Sequence, residues 1–137
     1  MKLVGPTLAC LVFAADAPLS APPLRIYDIW YEGCEATCKA FAETIRASRS
    51  DVELITRDAQ QDKTLLPGFV REARDMQDDL VTTYGTSTTI GTIGTIGRTG
   101  DAGEFITDIP VVFMFVSDPI ASRIAKSFGQ SGRSNMC

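Results

Sequence analysis

Seven consecutive residues, Pro110-Val111-Val112-Phe113-Met114-Phe115-Val116, carry no charge and no hydroxyl. An unbroken apolar run of β-favouring side chains has no polar face to show to water. It reads as a parallel strand covered on both sides. Parallel strands cannot be joined by a tight hairpin; each needs a crossover, usually a helix. The rest of the chain can therefore be read as strand and crossover units.

The pattern upstream fits. Leu24 to Trp30 is rich in β-favouring residues and is stopped by Gly33. Glu35 to Ser48 has the helical period, with Cys38, Phe41, Ala42 and Ile45 on one face. Val52 to Arg57 is a second short strand. Asp62 is an N-cap for a helix running to about Gln77, with Pro67 in its first turn and Leu66, Phe69, Val70, Ala73 and Met76 as its apolar stripe. Asp79 to Thr83 is a third strand, closed by Tyr84-Gly85. Thr86 to Gly97 is a third helix, weakened by three Thr-Ile-Gly repeats, since each Gly costs about 1 kcal/mol against Ala. After the apolar run, Ser117-Asp118-Pro119 offers an N-cap with Pro at the first helical position. Ile120, Ile124, Ala125 and Phe128 would face inward, and Gly129 would stop that fourth helix.

This alternation predicts an α/β domain with a doubly wound parallel sheet, strand order 2-1-3-4. Ligands in such sheets sit outside the carboxyl ends of the strands. That rule directs attention to Trp30–Cys34, Arg57–Asp62, Tyr84–Thr88 and Ser117-Asp118.

Composition narrows what could happen there. The chain of 137 residues has 22% charged residues, a net charge of -4 and no histidine. Without clustered Lys and Arg, it is a poor partner for nucleic acid. The lack of His removes the commonest general base and the commonest zinc ligand, so no metal, cofactor or catalytic residue is assigned. At the start, Lys2 precedes the uncharged run Leu3 to Ala15, and Ala15-Asp16-Ala17 has the shape of a cleavage site. Residues 1–17 read as a signal peptide, with a cut after Ala14 or Ala17; a buried first strand or helix is the alternative. Export places the chain in the periplasm or on the cell-surface side of the membrane. Residues 18–23, with Pro18, Pro22 and Pro23, form a stiff lead-in.

Two motifs could carry chemistry. Cys34 and Cys38, in an exported chain and four apart near a helix start, suit a disulfide, their Cα atoms lying about 6 Å apart on a helix. A thioredoxin-like thiol-disulfide oxidoreductase is the alternative, favoured by Trp30 and by Ile109-Pro110 before a strand. The spacing C-x-x-x-C argues against it, because that chemistry normally uses C-x-x-C. The second motif is Gly85-Thr86-Ser87-Thr88 after the third strand. Free N–H groups and the helix dipole make such a turn an anion site, with Ser87 and Thr88 as hydroxyl donors; plain helix capping explains the same residues. Asp58 and Asp118 could likewise touch a ligand, or simply cap their turns.

Four stretches together resemble the ABC-transporter substrate-binding proteins related to tryptophan and tyrosine transporters. They are Trp30-Tyr31-Glu32-Gly33-Cys34-Glu35, Arg57-Asp58-Ala59-Gln60-Gln61-Asp62-Lys63, Asp79-Leu80-Val81-Thr82-Thr83-Tyr84-Gly85-Thr86, and Asp108-Ile109-Pro110-Val111-Val112-Phe113 running on to Val116-Ser117-Asp118-Pro119. The resemblance implies a two-lobed periplasmic binding protein that closes on a small molecule and passes it to an ABC permease. It implies that Glu32, Gly33, Cys34, Gly85, Thr86, Ser87, Ser117 and Asp118 line the cleft; Thr88 joins them from the anion-site reading of the third strand's turn. Residues 24–129 would be the first lobe, and the similarity is lost after Arg133, so residues 130–137 read as a divergent tail, as a premature stop would leave. With no following strand, the edge along 110–116 is expected to be bare and prone to self-association.

Overall fold

The computed structural model describes residues 21–98, 100 and 103–136. The expected signal peptide and the first half of the lead-in, residues 18–20, lie outside the described residues. Four strands form one parallel sheet: β1 (Leu24–Trp30), β2 (Val52–Asp58), β3 (Leu80–Tyr84) and β4 (Val111–Met114), in the order β2-β1-β3-β4. This is the expected order. Helix α1 (Ala36–Ser48) joins β1 to β2, α2 (Leu66–Asp75) joins β2 to β3, and α3 (Thr86–Ile93) follows β3. A short 3-10 turn, Lys63–Leu65, leads into α2, and the Asp62 carboxylate caps it by accepting from the Thr64 N–H at 2.9 Å. No described helix is long and apolar enough to cross a membrane.

The register sorts side chains onto two faces, because alternate residues of a strand point opposite ways. Tyr27 and Ile29 of β1 share a face with their neighbours Val81 and Thr83 of β3, and Val81 with Val111 of β4. All five are buried, and with Leu66, Val70 and Ala73 of α2 and Ile93 of α3 they build the main core. Leu66 meets α3 at Gly91, where a Cβ would stand 2.3 Å from the Leu66 side chain. The repeat glycine that weakens α3 is therefore what lets the two helices approach. The opposite face carries Ile26, Asp28 and Trp30 of β1, with Thr82 and Tyr84 of β3; α1 lends Cys38 and Ala42 as its buried residues.

The expected fourth helix does not form. The Asp118 carboxylate does cap a turn, accepting from the N–H groups of Ile120 (3.1 Å) and Ala121 (2.8 Å). The chain then leaves the helical path at Arg123, whose φ is +56°. Ile124 and Ala125 enter the core, while Ile120 and Phe128 stay exposed. An inward stripe at helical spacing would have needed all four buried.

The expectation of a bare outer edge on β4 also needs correcting at its start. Met136 forms a parallel bridge with Val111, whose N–H donates to the Asn135 carbonyl at 2.8 Å. The Asn135 amide donates in turn to the carbonyls of Ile106 and Ile109. Arg133 is built in as well: its guanidinium donates to the carbonyls of Ile93 (2.8 Å), Gly94 (2.9 Å) and Ile124 (3.1 Å). It thereby closes the C-terminal end of α3, where carbonyls lack intrahelical partners. Beyond Val111, no described strand pairs with the outer side of β4.

Candidate functional site

At the carboxyl end of the sheet, the loops after β1, β3 and β4 enclose a cavity of about 260 Å³ lined by Tyr31, Glu32, Tyr84, Gly85, Thr86, Ser87, Phe115 and Ser117. Gly85 makes its floor possible. Its φ of +97° is a conformation that side-chain-bearing residues rarely adopt, and with no side chain it cannot cap α3. The first intrahelical bond runs from the Thr89 N–H to the Gly85 carbonyl. The N–H groups of Thr86, Ser87 and Thr88 thus have no partner within the helix. Glu32, exposed on the loop after β1, is part of the same lining. The cavity thus brings together helix N–H groups and a carboxylate.

The remaining wall is aromatic. Trp30 stacks on Tyr84 with ring centroids 4.0 Å apart, and Tyr84 stacks on Phe115 at 5.0 Å. Trp30 is buried, while Phe115 is 75% exposed, so the stack runs from the interior out to solvent. Tyr31 is fixed by the loop after β2: its hydroxyl donates to the Gln61 carbonyl at 2.9 Å, and the Gln61 N–H donates to the Tyr31 carbonyl. Gln60 and Gln61 hold this loop with positive φ of 48° and 64°. Such geometry costs of order 1 kcal/mol or more per residue.

Of the residues implied by the resemblance, Glu32, Gly85, Thr86, Ser87 and Ser117 line the cavity. Gly33 and Cys34 lie beside it without lining it, and Asp118 is occupied as the turn cap. Thr88 is buried below the cavity, and its Oγ1 has no protein partner. Asp58 likewise caps its own loop, accepting from the Gln60 N–H at 2.8 Å. Tyr31 and Tyr84 fall within the strand-end segments Trp30–Cys34 and Tyr84–Thr88 without having been named as lining residues, and Phe115 was not anticipated. The parallel register that sets Trp30 beside Tyr84 was the available signal for one of them.

Cys34 and Cys38 are joined as a disulfide, with Cα atoms 4.9 Å apart, and Cys38 is buried on the inner face of α1. No group of three His, Cys, Asp or Glu side chains among the described residues could hold a metal. A wider hollow of about 700 Å³ lies open against the tail, from Lys126 to Ser134. Arg133, which lines this hollow with Lys126, is already engaged by three carbonyls.

No protein-family model and no curated protein matches the chain. Solved structures do match its fold, and one of them is a substrate-binding protein. One is a substrate-binding protein with adhesive properties from Clostridium difficile in its ligand-free, open form; identity is 18%, coverage 82% of this chain and 37% of that one, TM-score 0.63. Another is an ABC domain from Streptococcus pneumoniae in complex with L-Trp, at 15% identity, 83% and 37% coverage, and TM-score 0.66. A conserved domain protein from Vibrio cholerae matches at 18% identity, 85% and 38% coverage, and TM-score 0.64. The chain therefore has the fold of a substrate-binding-protein lobe. It spans less than two fifths of the chains it matches.

Proposed function

We propose that the chain is the first lobe of an exported solute-binding protein of an ABC importer, and that its cavity takes a small amino acid-like solute. The observation that carries this reading is the polarity of the cavity. A carboxylate suits the uncapped N-terminus of α3, where Thr86 and Ser87 add hydroxyls. An ammonium suits Glu32, and an apolar side chain suits the wall of Tyr84 and Phe115. The stated L-Trp complex of a structural neighbour fits the same reading.

A single lobe supplies part of the contacts, so affinity for L-tryptophan should be weak, about millimolar. Calorimetric titration of the full chain with L-tryptophan and L-alanine tests this. Ser87→Ala should weaken binding about tenfold if its hydroxyl bonds the carboxylate, since a bond to a charged group contributes roughly 1.5–3 kcal/mol. Unchanged binding in Ser87→Ala and Glu32→Gln would move the site elsewhere. The oxidoreductase alternative predicts cysteine-dependent insulin reduction; the buried Cys38 and the C-x-x-x-C spacing argue for none. An ABC permease is the implied membrane partner. A second copy pairing along the open part of β4 is the implied self-contact, checked by sedimentation of wild type and Phe113→Lys.

A further inference from the structure

The loops frame the cavity, but its aromatic wall is set from inside the sheet. Asp28 lies in the middle of β1 with no solvent exposure. Its cross-strand neighbour on β3 is Thr82, whose hydroxyl donates to Asp28 Oδ1 at 2.6 Å. The other oxygen, Oδ2, accepts from the Trp30 indole Nε1 two residues along the strand. Trp30 is the cross-strand neighbour of Tyr84, and Tyr84 of Met114, the residue before Phe115. One buried carboxylate thus grips the first ring of a stack whose last ring stands at the cavity mouth.

We propose that Asp28 is a positioning residue: by fixing the Trp30 indole it sets Tyr84 and, through Tyr84, Phe115, and so shapes the apolar wall of the solute cavity. A strand position facing α1 would ordinarily hold an aliphatic residue, as Ile26 does two positions earlier. An aliphatic side chain at 28 would leave the indole N–H and the Thr82 hydroxyl without partners in a dry interior, which is unfavourable. Charge is not what the arrangement needs. A neutral acid, or an amide, can still accept from Trp30 with one oxygen while its other group donates to the Thr82 hydroxyl, which can accept as well as donate. The role is geometric, and it predicts that the isosteric amide preserves what an aliphatic residue destroys.

The effect on solute rests on the function proposed above; the effect on the rings does not, and the experiment separates them. Trp30 is the only tryptophan of the chain, so its indole gives a single N–H resonance. In nuclear magnetic resonance spectra of the full chain, Asp28→Asn should keep that resonance protected from exchange and leave the ring shifts of Tyr84 and Phe115 near wild type. Asp28→Leu should lose the protection and shift both rings. In a Trp30→Phe background, Asp28→Leu should move Tyr84 and Phe115 no further, because the path through the indole is already cut. Calorimetry with L-tryptophan should show about tenfold weaker binding for Asp28→Leu and near wild-type binding for Asp28→Asn. Rings that move as far in Asp28→Asn as in Trp30→Phe, or that move equally with and without Trp30, overturn the proposal. If Asp28→Leu does not fold, the comparison of Asp28→Asn with Trp30→Phe decides alone. Absence of any L-tryptophan binding in wild type sinks the proposed function and leaves the ring measurements to judge Asp28.

Discussion

The two faces of the sheet are built on different principles. The face under α2 and α3 is a sealed apolar core, where Tyr27, Ile29, Val81 and Val111 are almost wholly buried. Its ionic groups sit at the rim: Glu72 accepts from both Arg57 Nε (2.9 Å) and Nη2 (2.6 Å) and from the Tyr27 hydroxyl, and Arg25 pairs with Glu53 and Asp78. The face under α1 buries a carboxylate at its centre and lets an aromatic stack run out to solvent. A core of the first kind maximises contact and favours nothing but stability. The second gives up some stability for a wall of defined shape. The candidate site is an extension of that second face.

The contrast is sharpest in truncation of the core. Ile29→Ala, on the sealed face, should destabilise the chain by roughly 2–5 kcal/mol, the usual range for a buried aliphatic cut to alanine. Urea unfolding measures it; a loss under 1 kcal/mol would mean the face is loosely packed. Arg133→Ala comes next. It removes three charge-assisted bonds to buried carbonyls and opens the end of α3, and should cost about 2–3 kcal/mol. A neutral effect would mean that these bonds contribute little to holding the tail on the fold.

Glu72 and Asp28, one on each face, should also titrate in opposite senses. Hydrogen bonds from Arg57 and Tyr27 lower the Glu72 carboxyl from 4.5 to about 2. Its contribution is therefore present above pH 4.5 and lost as pH falls from 4.5 to about 2. Because Glu72 is over a third exposed, that contribution is about 1 kcal/mol or less. Burial pushes the Asp28 carboxyl above the ordinary range, against the lowering effect of its bonds from Thr82 and Trp30. A raised acid has the reverse sign: stability declines as pH rises from the ordinary carboxylate value through the raised one. Stability measured against pH should accordingly fall less on the acid side in Glu72→Gln and decline less at higher pH in Asp28→Asn, which should be the more stable chain at pH 7; Asp78, also raised by burial, keeps part of that decline in both. If Asp28→Asn is less stable than wild type at pH 7, the carboxylate's bonds outweigh its burial.

Most of the scaffold could be read in advance, because periodicity and burial agree there. β1 has the bounds its residues suggest, and the strand order follows from right-handed crossovers. The polar half of the site was legible too, since Gly85 and the hydroxyl residues after it state their backbone geometry locally. The aromatic half was legible only as far as the segments that hold Tyr31 and Tyr84, not as a stacked wall. Tyr84 reads as the end of a strand and Phe115 as one more residue of an apolar run; only cross-strand register and the positive φ of 54° at Phe115 bring them together. The fourth helix failed for a related reason. Asp118 and Pro119 signal a helix start locally, but Arg123 leaves the helical path, and its N–H and carbonyl pair with Ile120 and Ile96 instead.

The smallest expected change in stability is at the outer end of the stack. Phe115 is 75% exposed, so its ring meets nearly as much water folded as unfolded, and removing it gives up little burial. Its backbone is already strained at positive φ, and a glycine there would relieve that strain, partly offsetting the flexibility a glycine adds to the unfolded chain. Phe115→Gly should therefore shift stability by only about 0.5 kcal/mol in either direction. The ring nevertheless closes one side of the 260 Å³ cavity and stacks on Tyr84 at 5.0 Å. Its loss should weaken L-tryptophan binding severalfold while L-alanine, which does not reach the wall, is unaffected. Thermal unfolding and calorimetry on the same sample make the separation visible. A stability loss approaching that of Ile29→Ala would place Phe115 in the core, and the distinction between the two faces would fail at the point where it matters most for function.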